Sequence, residues 1–264
     1  MKTSLCVPIA ILLIFLSACG GAPAATEEPP PPLVTDVPTE LPIILPTDTS
    51  TPEPTATATT APTNTPEGQI FHDDFSGGLM DGWTWQEEKP DRWSFTSEGW
   101  LEIRGEDAGL LSSGHQSNLL CRPAPEGDYQ ITIHVFADTF ANFQQATLYV
   151  YQDGNNYIAL NRGYCAPCFP GGGDAMFMEY KMAGSMGAYK EATDDNDVFI
   201  RLVVAGTSII GYYAFEPDAW EKFGSIGNFI KDPNICLGVT NLDNAGTIGE
   251  DLTGRFDYID ISLP

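Results

Sequence analysis

From Gln69 onward, apolar and polar residues alternate with a period of two rather than recurring at three-and-four spacing. Ile131, Ile133 and Val135 fall on one side of an extended segment, and Gln130, Thr132 and His134 on the other. Leu148 and Val150 oppose Thr147, Tyr149 and Tyr151, while Val198, Ile200, Leu202 and Val204 oppose Phe199, Arg201 and Val203. Turn residues separate the runs at Asp153-Gly154-Asn155-Asn156, Ala205-Gly206-Thr207-Ser208 and Asn241-Leu242-Asp243-Asn244-Ala245-Gly246. Residues 256–261 form a last half-buried run, and no stretch keeps helical spacing for three turns. The pattern predicts an all-β domain of about a dozen short antiparallel strands, closed as a two-sheet jelly-roll sandwich.

The first 68 residues follow none of this. Lys2 precedes an aliphatic run at residues 9–16, too short to span a bilayer, which takes about 20 residues. The layout is that of a secretory signal. Leu16-Ser17-Ala18-Cys19 resembles the lipobox of bacterial lipoproteins, which implies cleavage before Cys19, a lipid on its thiol, and a position in the cell envelope outside the cytoplasm. An ordinary cleaved signal that contains a cysteine is the competing reading. Residues 20–68 hold twelve prolines, twelve threonines and seven acids without a lysine or arginine. Such a tract favours extended polyproline II and serves as a spacer, with a reach on the order of 150 Å at about 3.1 Å per residue. The expected organisation is a signal peptide over 1–18, a lipidated cysteine with a disordered linker over 19–68, and one folded domain over 69–264.

Charge narrows the partners. The domain carries 11 basic and 29 acidic residues, a net charge of −18, which repels nucleic acid and anionic headgroups. Its four cysteines, Cys121, Cys165, Cys168 and Cys236, allow three disulfide connectivities in an exported chain. The favoured one closes a local loop at Cys165–Cys168 and joins distant strands at Cys121–Cys236. A tetrathiolate zinc site normally shows two C-x-x-C pairs where this chain has one. Phe169-Pro170-Gly171-Gly172-Gly173 cannot start the helix that a thioredoxin-like thiol requires.

Phe71-His72-Asp73-Asp74-Phe75-Ser76-Gly77, Trp83-Thr84-Trp85, Trp93 and Gly99-Trp100-Leu101-Glu102-Ile103 resemble the opening of concanavalin A-like domains. The likeness is to the C-terminal accessory domain of family 43 β-xylosidases and its stand-alone bacterial relatives. It continues through Gly127-Asp128-Tyr129, Asn155-Asn156-Tyr157-Ile158 and Phe256-Asp257-Tyr258. The resemblance implies a jelly roll whose concave sheet binds glycans, with the loop around Cys165 as an addition of this chain. In those xylosidases a catalytic module stands before this domain; here the spacer takes its place.

Sugar sites combine an aromatic platform with amide, carboxylate or guanidinium partners. Gln145, Tyr149 and Tyr151 share one face of a strand, and Asn161 or Arg162, Glu179 and Arg201 are expected to join them, with Trp83 and Trp85 at the rim. Core packing is the competing role for Trp83, Trp85, Trp93 and Trp100. A structural calcium ion is a second expectation, held by Asp73 or Asp74 near the start and Asp257 near the end. Glu216-Pro217-Asp218-Ala219-Trp220-Glu221 matches the E-x-D-x-x-E spacing of jelly-roll glucanases, but Pro-Asp signals a turn rather than a strand. The expected activity is therefore non-catalytic binding of a polysaccharide or cell-surface glycan. A glycoside hydrolase of the same fold and an envelope protein-interaction module are the alternatives.

Overall fold

The computed structural model describes residues 67–107, 109–110, 114–170, 172–241 and 251–264, all in the unit that begins at Ala61. The expected signal peptide, Cys19, the linker and the turn beyond Asn241 lie outside the described residues. The chain starts with the short strands β1 (Gln69–Asp73), β2 (Thr84–Gln86), β3 (Trp93–Phe95), β4 (Leu101–Arg104) and β5 (Leu119–Pro123). Longer strands follow: β6 (Tyr129–Ala137), β7 (Gln144–Asp153), β8 (Asn156–Tyr164), β9 (Asp174–Met182) and β10 (Ser185–Ala192). The set is completed by β11 (Asp197–Ala205), β12 (Ser208–Ala214), β13 (Glu221–Gly227), β14 (Asn234–Asn241) and β15 (Thr253–Ser262). The count exceeds a dozen because three-residue strands such as β2 and β3 are too short to show alternation.

The strands form two antiparallel sheets. Sheet 1 runs β13-β12-β11-β6-β15-β4-β3, and sheet 2 runs β10-β9-β8-β7-β14-β5-β2. β15 pairs β6 along one edge; along the other, β4 takes Thr253 to Phe256 and β1 takes Ile259 to Ser262. Between the sheets, Ile131, Ile133 and Val135 of β6 and Val198, Ile200 and Leu202 of β11 meet Leu148, Val150, Ile158, Leu160, Ile235 and Leu237 of sheet 2. Each contributes about 1.5–3 kcal/mol on burial, which is what the alternation is for. Trp83, Trp85 and Trp93 also pack against this core, Trp85 and Trp93 with ring centroids 4.8 Å apart.

The two sheets differ on their outward faces. In sheet 1 burial alternates along β11 and the outward residues stay partly solvated. In sheet 2 the central strands are buried on both faces, from Gln144 to Tyr151 in β7 and from Tyr157 to Gly163 in β8. Part of the cover is the segment before β5, which buries Leu110, Gln116, Ser117 and Asn118. Lys181 Nζ donates to its Leu110 carbonyl at 3.1 Å. At the other end, Phe169 of the Cys165–Cys168 loop packs on Phe177 of β9.

Disulfides join Cys121 to Cys236, directly opposed on β5 and β14, and Cys165 to Cys168. The first closes a sequence separation of 115 residues and the second a separation of 3. Because loop entropy grows with the length closed, the double substitution Cys121→Ala/Cys236→Ala is expected to cost about 2–5 kcal/mol in urea unfolding, and Cys165→Ala/Cys168→Ala distinctly less. Equal losses would contradict this ordering.

Candidate functional site

Gln145, Asn161 and Glu179 stand on the outward face of sheet 2, on the adjacent strands β7, β8 and β9. The Gln145 and Asn161 side-chain amides each donate to Glu179 Oε2 at 3.1 Å. Burial raises the Glu179 carboxyl above its ordinary value, and these two hydrogen bonds pull it back only in part. Gly163 leaves the room this cluster needs: a Cβ there would stand 2.8 Å from Gln145 Cγ and 3.1 Å from Asn161 Oδ1. Three buried polar atoms at this face, Asn161 Oδ1, Thr147 Oγ1 and Gln116 Nε2, have no hydrogen-bond partner. Each such orphan costs about 1–3 kcal/mol unless water or a ligand hydroxyl meets it.

Apolar clusters flank this polar floor. On one side Tyr149 and Tyr157 meet edge to face at 5.8 Å, with Leu110, Leu119 and the Cys121–Cys236 bridge around them. On the other lie Phe177, Phe169 and the Cys165–Cys168 loop. The Tyr149 hydroxyl donates to Gln116 Oε1 at 3.0 Å, and burial pushes its pKa well up. At 3 % exposure Tyr149 is packed under the covering segment and offers no stacking face, contrary to the expectation of an open aromatic platform. Tyr151, on the same face, is 9 % exposed.

The remaining expected ligands are placed elsewhere. Arg162 shares the inward side of β8 with Ile158 and Leu160 and is fully buried. Its guanidinium donates to Asp174 Oδ1 at 2.6 Å, Thr139 Oγ1 at 2.9 Å, Asn196 Oδ1 at 2.7 Å and the carbonyls of Gly163 and Asp195. Arg162 therefore clamps the end of the sandwich instead of lining a groove. Arg201 belongs to the other sheet, donating to Thr132 Oγ1 at 2.9 Å and lying 3.8 Å over the Trp220 ring. Trp83 and Trp85 pack against the core instead of forming a rim, and the Trp83 indole N–H donates to Asp73 Oδ2 at 2.8 Å.

The acids expected to hold calcium are not brought together. Asp74 caps the following turn, where bonds from the Ser76 hydroxyl and amide hold its pKa down. Asp73 is buried and accepts from the amides of Phe75 and Met80 as well as from Trp83. Asp257 lies 2.9 Å from His134 Nδ1. Among the described residues, no group of three or more His, Cys, Asp or Glu side chains is arranged to hold a metal. The E-x-D-x-x-E segment is a turn, with Ala219 N bonded to Glu216 O and Asp218 at φ 65°, so only Glu221 reaches a strand.

Residues 72–234 match the family of β-xylosidase C-terminal concanavalin A-like domains. No curated protein matches the chain. Among solved structures, the GH43 protein BlXynB of Bacillus licheniformis is 18 % identical with a TM-score of 0.61, covering 73 % of this chain and 39 % of its own. A Bacteroides ovatus protein described as xyloglucan PUL GH43B is 14 % identical with a TM-score of 0.62, covering 78 % of this chain and 42 % of its own. The xylan β-1,4-xylosidase of Bacillus halodurans is 17 % identical with a TM-score of 0.58, covering 77 % and 41 %. The chain thus spans about two fifths of the length of these proteins, and at such identities the likeness is one of fold.

The raised Glu179 carboxyl has a pH consequence. Between the ordinary value of 4.5 and its higher folded value, the folded chain holds a proton that the unfolded chain has released. Stability contributed at this position therefore falls as pH rises through that window and levels off above it. Urea unfolding of the parent and Glu179→Gln at pH 4–8 is expected to show the variant gaining on the parent as pH rises. A difference that is flat, or that moves the other way, would contradict the assignment.

Proposed function

We propose that this chain, which belongs to the family of β-xylosidase C-terminal concanavalin A-like domains, binds glycans without cleaving them while held at a membrane by a lipid on Cys19. The observation that carries the reading is the Gln145–Asn161–Glu179 cluster, a partly exposed carboxylate steadied by two amides that the fold holds in place. Sugar hydroxyls donate and accept at once, so they suit a floor that offers both roles in a dry setting. The net charge of −18 favours an uncharged glycan over a polyuronate. Relatives described by xylan and xyloglucan point to neutral β-linked polysaccharides as the first ligands to test. The non-catalytic part of the reading is supported by the turn that carries Glu216 and Asp218 and by a match confined to an accessory domain.

A weak binder on a flexible tether gains effective concentration when the tether spans the distance to its target, and a Pro/Thr-rich stretch of this length is suited to that.

Two outcomes follow. In pull-downs of the full chain on insoluble xylan and xyloglucan, Gln145→Ala and Asn161→Ala are each expected to weaken binding about tenfold, the loss of roughly one buried polar contact. A parent that binds neither polysaccharide, or variants that bind like the parent, would contradict the site. Mass spectrometry of the N-terminal peptide after expression in a bacterial host is expected to find diacylglyceryl on Cys19, and Cys19→Ser is expected to leave the membrane fraction. An unmodified Cys19 would remove the anchor.

A further inference from the structure

Trp100 does not join the core with Trp83, Trp85 and Trp93; it stands on the outward face of sheet 1 beside His134, ring centroids 5.1 Å apart. That histidine is itself fixed, with Nε2 2.6 Å from Asp197, Nδ1 2.9 Å from Asp257, and its ring stacked on Phe199 at 4.2 Å and 9°. The turn leading to Trp100 is equally constrained. Thr96 N donates to Trp100 O at 2.9 Å, and Trp100 N to Thr96 Oγ1 at 3.1 Å. Gly99 has φ +95°, and a Cβ there would meet the Ser76 backbone at 3.1 Å. The indole is therefore oriented before anything binds, which lowers the ordering cost of binding.

Beside the indole opens a cavity of about 510 Å³ lined by Thr96, Glu98, Trp100, Glu102, Phe136 and Arg255. Ligand pockets span about 300–1,000 Å³. Arg255 Nε donates to Glu102 Oε1 at 2.8 Å, and its guanidinium lies 5.5 Å from the Phe136 ring. Glu98 is exposed, and bonds from its own amide and the Ser97 and Thr96 hydroxyls hold its pKa down, so it stays ionised. An aromatic plate beside a fixed guanidinium and two carboxylates offers a C–H stacking face together with donors and acceptors for vicinal hydroxyls. Two carboxylates against one guanidinium disfavour a uronate.

We infer that this groove is a second glycan site, one that seats an uncharged pyranose ring on Trp100 with its hydroxyls toward Arg255, Glu98 and Glu102. The inference rests on the glycan-binding reading of the chain but uses none of the residues of the Glu179 cluster. Because the two sites lie on opposite outward faces of the sandwich, the domain would bridge two glycan strands rather than grip one twice.

Isothermal titration of the full chain with xylohexaose and with cellohexaose tests this. The parent is expected to take up two molecules, and Trp100→Ala and Arg255→Gln are each expected to weaken one site at least tenfold. Arg255→Gln leaves the indole in place, so a folding defect of Trp100→Ala would not be mistaken for loss of the site. The double variant Gln145→Ala/Asn161→Ala is expected to keep the Trp100 site. If Trp100→Ala and Arg255→Gln titrate like the parent, the second site is overturned while glycan binding stands. A single site lost only in Trp100→Ala and Arg255→Gln would retain this groove and remove the Glu179 site. No uptake of either hexasaccharide by the parent would overturn both.

Discussion

A strand has two faces, and a sandwich covers only one of them. Where the second face is covered as well, every polar group on it must find a partner or remain at a cost. That constraint governs sheet 2, whose central strands are buried on both sides beneath the Leu110 segment and the Cys165–Cys168 loop. Tyr149 meets it through Gln116, and Glu179 meets it through Gln145 and Asn161. Asn161 Oδ1, Thr147 Oγ1 and Gln116 Nε2 do not meet it. The polar cluster is thus an energetic liability of the fold, of the kind that proteins retain at functional or strained sites.

Sheet 1 escapes the constraint, and its outward face has a different character. Aromatic rings at Trp100, His134, Phe199 and Phe136 remain half-solvated among Asp197, Asp257, Glu102 and Arg255. Carboxylates that flank a histidine on both ring nitrogens hold it in one plane, and the stacked rings take their orientation from it. The open aromatic face expected at Tyr149 and Tyr151 of β7 is covered, and a partly solvated one lies on sheet 1 instead.

Much of the architecture was readable along the chain because period-two patterning reports directly on which face is buried. The turns at Asp153–Asn156 and Ala205–Ser208 join β7 to β8 and β11 to β12 as their residues suggest. Pro217-Asp218 marked a turn, and a turn is present. The inward position of Arg162 is also legible, since it shares parity with Ile158 and Leu160. Arg201 has outward parity, but parity does not say on which sheet a strand lies, and strand order is a long-range property. The cover over Tyr149 comes from a loop whose Gln116 is 33 residues away, with no periodic signature. Trp100, in the turn before β4, shares the outward parity of Glu102, whereas Trp83, Trp85 and Trp93 pack against the core.

In the proposed site, the Glu179 cluster meets ligand hydroxyls with amides that the fold has already positioned. Side-chain amide resonances of Gln145 and Asn161 report on it directly in NMR titrations with xylohexaose. Both are expected to shift progressively and saturably as the sugar is added. Saturable binding of the sugar that leaves both amide pairs unmoved would contradict it.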